Sequence, residues 1–136
     1  MEQQVIPLVR TYATFFLVGD TLKPADITAR LEITPAVSFQ AGDKRGANGV
    51  WKHGYWELTS QDQVVSDDLA DHLVWLLDQL EAKREQLARL AAEDIQPTIS
   101  CFWEASGSGG PVFSAQLLRR LAALHLELQM DIYFAS

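Results

Sequence analysis

The 136-residue chain has little cysteine, few basic residues and no long apolar run, and each shortage narrows the classes of protein it fits. Cys101 is the only cysteine, so no disulfide forms within the chain and the disulfide-rich secreted class is excluded. The first uncharged stretch, residues 11–19, is far too short to span a bilayer, and Glu2 and Arg10 do not fit a signal peptide. We therefore expect a cytoplasmic protein that makes no contact with a membrane.

Basic residues are outnumbered by acidic ones, 11 against 18, which gives a formal net charge of −7. Such a surface repels a phosphate backbone, so we expect no nucleic-acid partner. His53, His72 and His125 are scattered, and neither His-x-x-x-His nor Cys-x-x-Cys occurs. The sequence also lacks G-x-S-x-G. It therefore predicts no metal site and no cofactor, and it assigns no catalytic residue.

The pattern of apolar residues predicts one domain over residues 1–136, with a core of about 11–134. Strands are expected at residues 11–18, 36–40, 50–59, 98–104 and 126–134. Helices are expected from Pro24 to before Pro35, over 66–93 as either one helix or two, and from Ser114 onwards. Residues 41–49 and 106–111 are expected to form loops or a hairpin connection, because glycine and charged or polar residues are frequent there.

The clearest periodic signal is a leucine stripe with Ser66 as its expected N-cap. Its members, at steps of four, three, one and three residues, are Leu69, Leu73, Leu76, Leu77 and Leu80. The element order β-α-β-β-α-β-α-β predicts an α+β fold. We expect a mixed or antiparallel sheet of about five strands, helices mainly on one face, and ferredoxin-like order in the first six elements.

Several short motifs resemble a known family when their order and spacing are taken together. They are Pro24 to Leu31, Thr34-Pro35, Gly42-Asp43, Trp56-Glu57-Leu58 and Asp131-Ile132-Tyr133. They resemble the bacterial domain-of-unknown-function family numbered 4279, over about residues 12–133. The resemblance implies a small bacterial intracellular domain and carries no activity or catalytic residue. An immunity-type binding role is suggested only by analogy with other small acidic domains.

The strand predicted at 50–59 carries the most interesting side chains. Alternation places Trp51, His53 and Tyr55 on the face opposite Trp56 and Leu58. If helices cover only one face of the sheet, the Trp51 side meets water, and exposed Trp and Tyr are typical interface anchors. Three interpretations stay open: a ligand or heterologous protein partner, a homodimer, or coverage by a loop of the same chain.

Two carboxylates inside predicted strands, Glu57 and Asp131, are able to share this face with His53 and form a polar cluster with perturbed pKa values. Two hypotheses follow. The first is a non-enzymatic protein-binding domain with Trp51, His53 and Tyr55 as anchors and Glu57 or Asp131 as polar contacts. The alternative is a small-molecule-binding protein or enzyme with a carboxylate and imidazole pocket under residues 41–49. A flat aromatic face favours the first, and a deep convergent cavity favours the second.

Overall fold

A computed structural model describes residues 8–135 and contains a five-stranded sheet, a small hairpin and a layer of helices. The elements in chain order are β1 (Leu8–Gly19), α1 (Pro24–Leu31), β2 (Val37–Phe39), β3 (Lys44–Arg45), β4 (Gly49–Val50), β5 (Gly54–Thr59), α2 (Leu69–Leu80), a 3-10 turn (Glu81–Lys83), α3 (Arg84–Ala92), β6 (Thr98–Ala105), α4 (Ala115–Ala123) and β7 (Glu127–Phe134). The predicted α+β class and element pattern are confirmed. Within the described part of the chain, no helix is both long enough and apolar enough to cross a bilayer.

The main sheet has the order β2-β5-β1-β6-β7. Strand β1 pairs antiparallel with β5 and β6, β2 pairs antiparallel with β5, and β7 pairs parallel with β6. Leaving the hairpin aside, the first six elements are therefore arranged as in a ferredoxin-like fold, and α4 returns the chain to add β7 at one edge.

The helices pack on one face of this sheet. In β1, Ala13, Phe15 and Leu17 are fully buried. The intervening Tyr12, Thr14 and Phe16 are only partly buried, because they point to the other side. Leucines of α2, including the predicted stripe, complete the core on the buried side. The sheet surface that carries Tyr12, Thr14 and Phe16 is called the open face below.

The leucine stripe is a buried helix, but its predicted start is wrong. Asp68 rather than Ser66 is the N-cap, because its side chain accepts a hydrogen bond from the Ala70 N–H at 3.0 Å. The Ser66 hydroxyl instead donates to Asp71 Oδ2 at 2.6 Å. The region 66–93 contains two α-helices, α2 and α3, which the 3-10 turn joins.

The strand predicted at 50–59 is also shorter than expected. Residues 51–53 lie outside any strand, since the Trp51 N–H donates to the Asp43 carbonyl at 2.9 Å and so extends the β3–β4 hairpin instead. Strand β5 begins at Gly54, which pairs with Gly19. A side chain at Gly54 would meet the Leu22 backbone, so the close approach at this corner requires glycine.

The last strand is only half covered. Leu128 and Met130 pack against the core as their alternation predicts, whereas Ile132 is 51% exposed and Phe134 is 80% exposed. The reason is a mismatch in length. The nine residues of α4 span about 13 Å, and the eight residues of β7 span about 26 Å. The strand is therefore about twice as long as the helix that precedes it, and its second half is exposed.

A buried polar network joins β1 and β5 to the segment before α2. The Ser60 hydroxyl accepts from the Ala13 N–H at 2.9 Å and lies 2.7 Å from His72 Nδ1, to which it can donate. His72 Nε2 lies 2.9 Å from the Ser66 carbonyl, its acceptor when the ring carries its proton there. Ser60 and His72 are both buried, so this network replaces the hydrogen bonds that water would otherwise provide.

Replacing Ser60 tests this network. We expect Ser60→Ala to lower the free energy of unfolding by about 1–3 kcal/mol, because it leaves the Ala13 N–H and His72 Nδ1 without a hydrogen-bond partner. Urea denaturation measures the change, with the exposed Ser38→Ala as the control, which we expect to stay within about 0.5 kcal/mol of wild type. Equal stability of Ser60→Ala and wild type would show that the network contributes nothing.

The reactivity of the Cys101 thiol tests whether β6 is buried in the core as the structure shows. Cys101 is fully buried in β6, and this burial raises its pKa to about 12, so the thiol is protonated at neutral pH. We expect no reaction with a disulfide reagent such as Ellman's reagent until the protein unfolds, and a full reaction in guanidinium chloride. A rapid reaction of the native protein would contradict this position of β6.

Candidate functional site

The open face is rich in aromatic side chains. Alternation along the strands places Tyr12, Phe16, Phe39, Tyr55, Phe102 and Tyr133 there. Trp51, which follows the β3–β4 hairpin in the chain, also lies on this face, since its ring stacks on Phe39 with the centroids 3.8 Å apart. No helix covers this side within residues 8–135, and the rings of the central strands remain partly accessible to solvent.

A trough crosses the middle of the open face. Its floor is formed by two small polar residues that the register places side by side, Thr14 and Ser100, and Thr59 lies next to Thr14 outside the lining. Larger side chains rise on both sides of this row. The full lining is Tyr12, Thr14, Phe16, Tyr55, Glu57, Ser100, Phe102, Gln129 and Asp131, and the volume is about 280 Å³.

The two sides of the trough are formed by aromatic pairs from neighbouring strands. On one side Tyr12 stacks on Phe102, with the centroids 4.7 Å apart and the planes 14° apart. On the other side Phe16 packs near Tyr55 at 6.1 Å. Stacking across the strands limits the movement of these rings, so the shape of the trough is set by the sheet itself.

Two carboxylates make the trough electronegative. The Tyr55 hydroxyl donates to Glu57 Oε1 at 2.7 Å. Burial of Tyr55, and then this hydrogen bond to Glu57, raise the Tyr55 pKa well above its usual value. The pKa of Tyr12 is also raised, mainly by burial. The charge of Arg10 lowers it, and those of Asp131 and Glu57 add to the rise.

The chain already places one cation on these rings. The Arg10 guanidinium lies 5.0 Å from the Phe102 centroid and 5.7 Å from the Tyr12 centroid, within the range of a cation–π contact. Arg10 also lies 4.0 Å from Glu104. Arg10 precedes Tyr12 by two residues on the same face, whereas the trough lies on the Thr14 side, so Arg10 leaves the trough itself unoccupied.

A second, more apolar hollow lies where the β3–β4 hairpin meets the sheet. We call it the hairpin pocket. It has a volume of about 250 Å³ and is lined by Val18, Phe39, Arg45, Trp51, Lys52, His53, Gly54 and Tyr55. The Arg45 guanidinium lies 4.8 Å from the Trp51 ring centroid. This end of the open face therefore carries the positive charge that the trough lacks.

The structure divides the predicted site residues between the trough and the hairpin pocket. Tyr55, Glu57 and Asp131 line the trough. Trp51 and His53 line the hairpin pocket together with Tyr55. His53 is exposed and bonded to Asp20, so the proposed cluster of His53 with Glu57 and Asp131 does not form in these positions. The reason is that residues 51–53 are not part of the sheet, which the chain enters only at Gly54, where β5 begins.

Sequence reasoning missed the central aromatic residues, Tyr12, Phe16 and Phe102. The signal was present in β1, where the aromatic-Thr-aromatic pattern Tyr12-x-Thr14-x-Phe16 occupies one set of alternate positions. In β6 the matching positions are Ser100 and Phe102. Their meeting depends on strand order, which the sequence does not reveal.

Two other observations bound the site. Among residues 8–135, no group of three or more His, Cys, Asp or Glu side chains is arranged to hold a metal ion.

A larger hollow of about 690 Å³ lies at the β2 edge, lined mainly by residues 32–37 and 61–63 with Trp75 and Gln79. Its walls are mostly loop residues without paired aromatic rings, so the trough is the better candidate for specific binding.

The Tyr55 hydroxyl yields a pH-dependent prediction. Because the folded-state pKa is raised, the stabilisation from this group is present below about pH 10 and is lost as the pH rises towards the raised value. We expect wild type to lose more thermal stability above about pH 10 than Tyr55→Phe does. Parallel alkaline losses in both proteins would contradict the raised pKa of Tyr55.

Comparison with family models matches residues 9–135 to the family described as Domain of unknown function (DUF4279). The match covers nearly the whole chain and confirms the resemblance seen in its short motifs. Comparisons with curated proteins and with solved structures gave no match. The chain belongs to the DUF4279 family.

Proposed function

We propose that the protein is a non-enzymatic binding domain that holds a segment of a partner protein on the open face of its sheet. The observation that carries this proposal is the uncovered group of aromatic side chains around the trough and the hairpin pocket. Contiguous exposed apolar surface bordered by polar groups is typical of protein interaction sites.

The arrangement of the face suits a protein interface. Binding energy concentrates on aromatic residues near the centre of a contact, with polar residues around them. Tyr12 and Phe102 lie at the centre of the sheet, and Trp51 lies at one end. We therefore assign the main anchoring role to Tyr12 and Phe102, and a secondary role to Trp51 and Tyr55.

A small-molecule enzyme finds less support in this geometry. The trough is smaller than the pockets of about 300–1,000 Å³ that drug-sized ligands occupy. Its carboxylates, Glu57 and Asp131, lack the imidazole that the enzyme hypothesis requires, since His53 is bonded to Asp20. A second copy of the chain is the other candidate occupant of the open face.

The setting of this function is also a proposal. The single cysteine and the acidic composition support action in the cytoplasm. Neutralisation of a toxin in a bacterial cell, an immunity-type role, is one use that a small acidic binding domain of this kind would have.

Selection from a phage-displayed random peptide library tests the proposal. We expect peptides selected on wild type to bind at least about tenfold more weakly to Tyr12→Ala and Phe102→Ala, since truncating a central anchor costs about 2 kcal/mol or more and every 1.4 kcal/mol is about tenfold in affinity. Leu118→Ala, on the exposed side of α4, is the matched control and should bind as wild type does. Circular dichroism verifies that each variant is folded.

Two results would contradict this function. One is equal binding of the selected peptides to wild type and to the two aromatic variants. The other is sedimentation of wild type as a stable dimer that Phe102→Ala converts to a monomer. That outcome would assign the open face to a second copy of the chain.

A further inference from the structure

The charged residues that line the trough are all acidic. Among the described residues that line it, Glu57 and Asp131 are acidic and none is basic. Arg10, on the same face, already lies near Glu104 and over the Tyr12 and Phe102 rings, and it is not among the residues that line the trough. The carboxylates of the trough therefore have no cation of their own chain among the lining residues.

The walls and the floor add two further features that favour a cation. Tyr12 and Phe102 already accept a guanidinium from Arg10, and aromatic rings attract cations through the negative potential of their faces. On the floor, the Thr14 hydroxyl donates to Thr59 Oγ1 at 2.9 Å, so the Thr14 oxygen keeps lone pairs that can accept a hydrogen bond.

We infer that the trough receives the ammonium or guanidinium group of a lysine or arginine side chain of the partner protein. This inference rests on the proposed protein-binding function and names the chemistry of its central contact. The register places Glu57 beside Phe16 and Asp131 beside Phe102, at opposite corners of the trough. One of these carboxylates would accept the charge-assisted hydrogen bonds and the other would add negative charge, with the stem of the side chain between the two aromatic pairs.

The size of the trough and the distribution of charge support a single basic side chain in a larger contact. A volume of about 280 Å³ suits one side chain better than a whole ligand. The net charge of −7 attracts a basic partner from a distance. The hairpin pocket, with Arg45 and Lys52, repels a second cation and so fixes which end of the face the basic residue occupies.

Short peptides of defined sequence test this inference. The probes are N-acetylated, C-amidated Gly-Gly-X-Gly-Gly peptides with X as arginine, lysine or norleucine, which has a similar stem but no charge. We expect arginine and lysine peptides to shift the amide signals of Thr14, Ser100 and Phe102 in a two-dimensional NMR titration. The norleucine peptide should bind at least about tenfold more weakly.

A pair of double variants isolates the carboxylates. Glu57→Gln/Asp131→Asn should weaken the arginine peptide at least about tenfold, because the charge-assisted bonds are lost. Asp67→Asn/Glu85→Gln removes the same number of charges from the exposed helix side and should change the affinity by less than about twofold, since salt screens distant charges.

Three outcomes would overturn the inference. The first is equal binding of norleucine and arginine peptides, and the second is an unchanged affinity in Glu57→Gln/Asp131→Asn. The third is methylguanidinium binding as tightly as the arginine peptide, which would assign the trough to a small free cation. The protein-binding proposal is tested separately. It fails when the phage-selected peptides bind Tyr12→Ala and Phe102→Ala as tightly as they bind wild type, whatever the short peptides do.

Discussion

One-sided burial of the central strand controls the rest of this structure. Ala13, Phe15 and Leu17 of β1 are completely buried, and they pack in the same core cluster as the leucines of the helical layer. Since successive side chains of a strand point in opposite directions, the same packing turns Tyr12, Thr14 and Phe16 to the other side. The open face is thus a direct consequence of how the core forms.

The open face combines two different chemical environments on one sheet. At its centre, small hydroxyl residues leave a trough between aromatic pairs, and two carboxylates give it negative charge. At the hairpin end, Trp51 and Phe39 stack beside Arg45 and Lys52. A partner that matched both regions would be held in one orientation, because reversing it would place like charges together.

Local pattern was enough to predict most of the fold. The helix of the leucine stripe and the strand at residues 11–18 depend on neighbours in the sequence, and the structure has α2 and β1 at these positions. Residues 51–53 were assigned to a strand, whereas the Trp51 backbone pairs with Asp43 of the hairpin, a choice that alternation alone does not reveal. The trough was missed because its lining residues, such as Thr14, Glu57 and Ser100, come from different strands and meet only through strand order and register.

Hydroxyl-radical footprinting of the monomeric protein, read by mass spectrometry, tests the central claim most directly. Rapid oxidation of Tyr12, Tyr55 and Phe102, together with protection of Phe15 and Trp56, is the result that a sheet covered on one side predicts. Protection of Tyr12 and Phe102 to the same degree as Phe15, in a sample shown by sedimentation to be monomeric, would contradict it. The open face would then be covered by the chain itself and would not be free to bind a partner.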